Sequence, residues 1–172
     1  MDADDQISIV RRILKELNID EKLYNPASIH NQISNAKNAL IALESFTSRS
    51  YREEVVKRVF ERYEQVLRES NAVDFDDLLM WAVRLFDENA DIREAYSRRF
   101  EHVLVDEFQD TNLAQYELLK HLSSFHHSLF LVGDEDQSIY RWRGADYRNV
   151  LRFQSDYPQA VKLLLEQNYR ST

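Results

Sequence analysis

Cysteine is absent from the 172 residues, and glycine and proline occur only twice each. Without cysteine the chain forms neither disulfides nor thiolate metal sites. Glycine and proline far below their usual shares of about 7% and 5% exclude an all-β fold built from tight turns and leave a helix-rich one. Gly133 and Gly144 are eleven positions apart and are followed by Asp134 and Ala145. The sequence therefore contains neither a G-x-x-x-x-G-K-[ST] phosphate loop nor a G-x-G-x-x-G fingerprint. The five histidines, His30, His102, His121, His126 and His127, show no H-x-x-x-H spacing, so a zinc site is not expected.

Long apolar runs are missing too. None approaches the roughly 18 to 20 residues that span a bilayer, and the first residues, MDADDQ, are acidic where a signal peptide is basic. The expectation is a cytoplasmic protein with no membrane partner. Positive charge is in deficit: 30 acidic against 22 basic residues give a formal net charge of -8. That balance opposes a simple basic nucleic-acid binder and leaves room only for a local basic patch.

What is present divides into two periodicities. From Asp2 to about Arg99 apolar residues recur at helical spacing. Ile7, Val10, Ile13, Leu14 and Leu17 form one stripe, and Asn25-Pro26 is an N-cap and first-turn pair opening a helix with Ile29, Ile33, Ala36 and Leu40. Val55, Val59, Tyr63, Val66 and Leu67 form the next stripe. Asp74 then caps a helix carrying Phe75, Leu78, Leu79, Ala82, Leu85 and Phe86, with Asp76 and Asp77 where a helix dipole favours anions. These faces read as core.

Beyond residue 100 the apolar residues gather in short continuous runs, His102 to Val105, Leu129 to Val132 and Val161 to Leu165. Runs of that length suit strands of a covered parallel sheet. Helices are expected between them, from Asn112 to Ser123 and from about Asp146 to Asp156. The order strand, helix, strand, helix, strand is α/β topology, in which ligands collect at the carboxyl ends of the strands.

Chemistry-bearing residues sit at those ends. The first run leads into Asp106-Glu107-Phe108-Gln109-Asp110-Thr111-Asn112. An aspartate there can hold a nucleotide-bound Mg²⁺, and the next glutamate can orient or deprotonate water attacking a γ-phosphate. An acidic loop with no catalytic role is the plainer reading. The second run ends in Gly133-Asp134-Glu135-Asp136-Gln137, where the Gln137 amide can position a phosphate oxygen or water. From Ser138 to Phe153 the charge reverses, and Arg141, Arg143, Arg148 and Arg152 interleave with Tyr140, Trp142 and Tyr147. Aromatic faces among cations suit single-stranded nucleic acid, whereas a buried tryptophan with surface ion pairs is the alternative. After the third run come Tyr169 and Arg170, a pair able to stack on a base and meet a phosphate, or else a frayed terminus.

Taken together, DEFQDTN, VGDEDQSIYRWRGAD and LEQNYRST resemble motifs II, III and IV of the UvrD/Rep family of superfamily-one DNA helicases. The resemblance runs upstream through VDFDDLL and so covers essentially the whole chain. It implies an α/β fold with a large helical part: a helical accessory subdomain over 1–99, inserted in the first RecA-like domain, and a partial RecA-like parallel sheet over 100–172. The implied activity is ATP-dependent 3'-5' movement on single-stranded DNA with unwinding at junctions of single- and double-stranded DNA. ATP and Mg²⁺ are the implied cofactors.

Residue by residue, the resemblance implies that Asp106 binds the Mg²⁺ and Glu107 activates water, while Gln137 couples the γ-phosphate to DNA. Trp142 stacks on a base, Tyr140 completes its pocket and Arg143 links that pocket to the nucleotide. Tyr169 stacks on adenine, Arg170 acts as an arginine finger, and Phe75 lines the DNA path. Family members are several times longer, with the P-loop upstream and a second RecA-like domain downstream. The chain is thus expected to be an internal piece, inactive alone, whose exposed sheet edges invite self-association. Two alternatives are a non-catalytic single-stranded DNA binding module on a degenerate helicase scaffold and a helical interaction protein.

Overall fold

The computed structural model describes residues 2–134, 148–165 and 167. Five helices come first: α1 (Ala3–Glu16), α2 (Pro26–Asn38), α3 (Tyr51–Glu69), α4 (Phe75–Glu88) and α5 (Ala90–Arg99). Strand β1 (Val103–Val105), helix α6 (Leu113–Ser123), strand β2 (Leu129–Leu131) and helix α7 (Arg148–Asp156) follow. The fold is α/β with a large helical part.

Side-chain caps start the helices. Asp2 accepts from Asp5 N at 2.9 Å, Asn25 accepts from Ser28 N at 3.1 Å with Pro26 behind it, and Ser50 accepts from Glu53 N at 3.2 Å. With glycine so scarce, other residues must end them. Asn18, Leu40 and Asn71 take the left-handed conformation just past α1, α2 and α3, at φ 54°, 57° and 47°. In each case the next amide reaches back to close the last turn, Ile19 N to Leu14 O at 2.8 Å, Ile41 N to Ala36 O at 2.8 Å and Ala72 N to Leu67 O at 3.0 Å. Asparagine tolerates that conformation, whereas the branched side chain of Leu40 is strained in it.

The stripes read from the sequence meet in one core of Val10, Ile13, Leu14, Ile29, Ile33, Ala36, Val55, Val59, Tyr63, Val66 and Leu67, joined by Val56 and Phe60. Helix α4 differs from expectation. It buries Val83 and Phe86 together with Asp77, while Phe75, Leu78 and Leu85 are exposed. Helix α4 packs on α2, α5 and α6.

Strands β1 and β2 pair in parallel with Val103 opposite Leu129 and Val105 opposite Leu131. Helix α6 connects them, as the alternating pattern requires. The third expected strand is not formed: 161–165 is irregular, with Val161 83% and Leu165 90% exposed. A strand needs a ladder, and among the described residues no edge pairs with this segment. Helix α7 begins within the expected range and packs Phe153 edge-on against Phe108 at 6.1 Å. No helix of the described residues is long and apolar enough to cross a membrane.

Candidate functional site

Parallel pairing puts the carboxyl ends of β1 and β2 side by side. The ladder continues past the strands through Val132 N to Val105 O at 2.8 Å and Phe108 N to Val132 O at 2.9 Å. Asp106-Glu107 and Gly133-Asp134 are thereby neighbours. Both acidic side chains are exposed. The Asp106 Oδ1 accepts from Glu107 N at 2.9 Å, which folds the turn. Glu107 is left-handed at φ 50°, ψ 42°, an unusual conformation for a residue with a side chain, and it opens a 3-10 turn over Phe108–Asp110.

That turn is anchored from below and behind. Phe108 is buried against Tyr116 and Phe153, and Thr111 Oγ1 donates to Phe108 O at 2.7 Å. Asn112 and Gln115 form a capping box that starts α6, with bonds of 2.8 and 2.9 Å. The buried Asn149 of α7 donates to Thr111 O and Asn112 O, each at 3.0 Å. A feature that sequence reading missed is Gln109. Its carboxamide is buried, donates to Glu107 Oε2 at 2.6 Å and accepts from Asp134 N at 3.0 Å. The only sequence signal for it was its place among the three acidic residues of DEFQD.

Phe75 is the first residue of α4 and is 64% exposed, so the core reading of this side chain fails and it is available to a ligand. What holds it in place is the second feature that sequence reading missed. Lys37, fully buried, places its Nζ 2.6 Å from Asp77 Oδ1, 2.9 Å from Asp74 Oδ2 and 2.7 Å from Glu64 Oε1. Asp74 and Asp77 are also the capping box of α4, and Tyr63 donates its hydroxyl to Asp74 Oδ2 at 3.1 Å.

Electrostatics of this cluster divide the three carboxylates. Burial opposes the Lys37 charge, but Asp74, Glu64 and Asp77 outweigh it and raise the lysine above its ordinary pKa. Burial also opposes ionisation of Asp74, yet the Lys37 charge and the hydrogen bonds it receives hold it below the usual carboxylate range. For Asp77 burial wins and its pKa is raised. Lysine inside a helix stripe reads as solvent-facing, and nothing in the sequence marked Lys37 as the centre of a buried network.

A polar chain joins the two places. Asn38 donates to Asp76 Oδ1 at 3.0 Å beside Phe75, and Asn112 donates to Asn38 Oδ1 at 2.6 Å. The start of α4 and the start of α6 are thus held to each other by buried amides. Gln137, Tyr140, Trp142, Arg143, Tyr169 and Arg170 lie outside the described residues.

An acidic pair thus lies at one parallel strand end, with Gly133-Asp134 at the other. The sequence model of the UvrD/REP helicase N-terminal domain matches residues 1–158. This chain belongs to the UvrD/REP helicase family. It is 49% identical over 174 aligned positions to a Bacillus subtilis protein named ATP-dependent DNA helicase PcrA, covering 100% of this chain and 24% of that protein. PcrA proteins of Staphylococcus aureus and Staphylococcus epidermidis are 45% and 44% identical over the same share of each chain. The chain spans about a quarter of the length of these curated relatives.

Proposed function

We propose that this chain works as part of an ATP-dependent DNA helicase that couples hydrolysis to 3'-5' movement along single-stranded DNA and to unwinding at junctions. The observation that carries the proposal is the Asp106-Glu107 pair at the end of β1, beside Gly133-Asp134 at the end of β2. Its supporting context is relatives named ATP-dependent DNA helicase. Residues 1–99 are assigned as the helical accessory subdomain and 100–172 as part of a RecA-like ATPase domain, working in the cytoplasm.

Asp106 fits the Mg²⁺ that accompanies ATP. It offers hard carboxylate oxygen, exposed, with one of its two oxygens tied to Glu107 N. Among the described residues no group of three acidic or histidine side chains forms a metal cage, which suits a cation shared with nucleotide phosphates. When bound, that ion neutralises charge developing on the phosphoryl oxygens. Glu107 takes the proton of, or orients, the attacking water, and Gln137 and Arg170 face the γ-phosphate while Tyr169 stacks on adenine. Trp142, Tyr140, Arg143 and Phe75 form the DNA path, Phe75 on the strength of its exposure. The 172 residues hold no G-x-x-x-x-G-K-[ST] loop, so turnover is assigned to a protein in which that loop is supplied. The exposed Leu104 and Phe130 of the two-stranded sheet support self-association of the isolated chain.

The test is a chimera in which this chain replaces the matching stretch of the Bacillus subtilis protein. Glu107→Gln is expected to lower DNA-stimulated ATP hydrolysis by about 10²- to 10⁴-fold, the range of general-base catalysis. Phe75→Ala and Trp142→Ala are each expected to weaken binding of oligothymidylate by about 1–3 kcal/mol. Full activity in Glu107→Gln would overturn the catalytic assignment. DNA binding that survives both aromatic substitutions would remove the DNA path.

A further inference from the structure

Gln109 is 3% exposed and spans the gap between the two strand ends with one side chain. A carboxamide is suited to this position because it offers a donor at one end and an acceptor at the other. Nε2 donates to the Glu107 carboxylate at 2.6 Å, and Oε1 accepts from the Asp134 amide at 3.0 Å. Glutamate would set a carboxylate against a carboxylate, and an apolar side chain would leave the Glu107 oxygen without this donor.

Gly133 keeps the space open. A Cβ at that position would meet Gln109 Oε1 at 2.7 Å, with the Gln109 backbone nitrogen at 3.3 Å and Phe108 Cβ at 3.4 Å. The nearest of these is the far end of a flexible side chain, so an alanine displaces the carboxamide more readily than it breaks the backbone. Around this link the frame is fixed, since Val132 N to Val105 O and Phe108 N to Val132 O already lock the two strand ends. Glu107 itself is strained and exposed, and a strained side chain keeps one orientation only where a neighbour determines it.

We propose that Gln109 is a positioning residue: its carboxamide fixes the carboxylate of Glu107 and ties it to the Asp134 amide just after β2. The inference rests on the reading of Glu107 as the water-activating group.

The experiment has two arms. In the isolated chain, ¹⁵N-resolved spectra are expected to show the Asp134 amide shifting on Glu107→Gln. Gln109→Met, which keeps side-chain volume and removes both hydrogen bonds, is expected to abolish that response and to speed Asp134 amide exchange about tenfold. In the chimera, Gln109→Met is expected to lower the DNA-stimulated kcat for ATP by about 10- to 100-fold with KM changed by less than about twofold. Gly133→Ala is expected to give the same split, and the double variant to be no worse than either single one, because the hydrogen bonds that the alanine displaces are already absent.

An Asp134 amide that still responds to Glu107→Gln in Gln109→Met overturns the inference, as does additive loss in the double variant or an unchanged kcat. If Glu107→Gln itself leaves hydrolysis intact while the amide coupling is present, the catalytic reading has failed and the link stands as a structural fact. The spectroscopic arm needs no turnover and decides the link on its own.

Discussion

The start of α4 and the end of β1 both present an exposed side chain from a firmly held backbone, yet they do so by opposite means. At α4 the holding groups are charges, Lys37, Asp74 and Asp77 buried and Glu64 part-buried. At β1 the acids stay in water and the buried groups are neutral amides, Gln109, Asn112 and Asn149. A buried ion cluster tolerates one arrangement only, because any charge left without its partner is costly. Neutral amides hold position at lower stake and can exchange partners. The difference sets a charge-locked helix start under Phe75 against an exposed carboxylate held by a neutral amide.

The largest effect should break the first half of that comparison. Lys37→Met leaves three carboxylates without their cation and is expected to cost about 3–5 kcal/mol in urea unfolding, which Asp77→Asn in the same chain partly restores. A loss below about 1 kcal/mol would mean that water enters the cluster and that the ion pairs hold nothing in place.

Next comes the junction between the two regions. Asn112→Ala removes the α6 cap and leaves Asn38 without its donor, with an expected cost of about 1–2 kcal/mol. Amide exchange at the starts of both α4 and α6 should rise together. A rise at α6 alone would show the regions to be held independently.

Glu107→Gly sharpens the second half. The left-handed backbone at φ 50° is relaxed by glycine, so the fold is expected to gain up to about 1 kcal/mol while ATP hydrolysis in the chimera is lost. Such a pair of outcomes would separate the strain at Glu107 from that at Leu40, which ends a helix. A destabilised Glu107→Gly variant would mean that the side chain is there for the fold.

The smallest effect concerns pH. Burial lowers the His121 pKa below its ordinary 6.5, with Asp87 opposing and Arg93 assisting. The folded state therefore prefers the neutral ring. Stability from this group is present above pH 6.5 and is lost as pH falls through the lower folded value. The urea midpoint should drop between about pH 7.5 and about pH 5.5, and His121→Gln should flatten that part of the curve. The Lys37 cluster contributes in other windows: with the lysine pKa raised above its ordinary 10.5, its stabilisation persists through neutral pH and is lost in strong alkali, and that of Asp74, whose pKa is lowered, is lost in strong acid.

Much of this molecule was legible in its residues because the signals are local. Capping residues Asp2, Asn25, Asp74 and Asn112 announce helix starts by side-chain chemistry, and helical spacing marked the core of α1 to α3. The parallel pairing of the first two apolar runs followed from the helix between them. The 161–165 run misled, since apolar character records a wish for burial and says nothing of whether a strand edge is available.

What the sequence determined by itself was the family, the acidic pair at a strand end and the helical half, each set by residues within a few positions of one another. Tertiary structure alone decided which side of α4 is buried, that Lys37 joins three carboxylates from two other helices, and that Gln109 bridges Glu107 to Asp134. Apart from the Gln109–Glu107 bond, those contacts join residues 25 to 40 positions apart, and no local periodicity encodes such a meeting. They depend on where whole elements come to rest, and that is fixed by the packing of the complete chain.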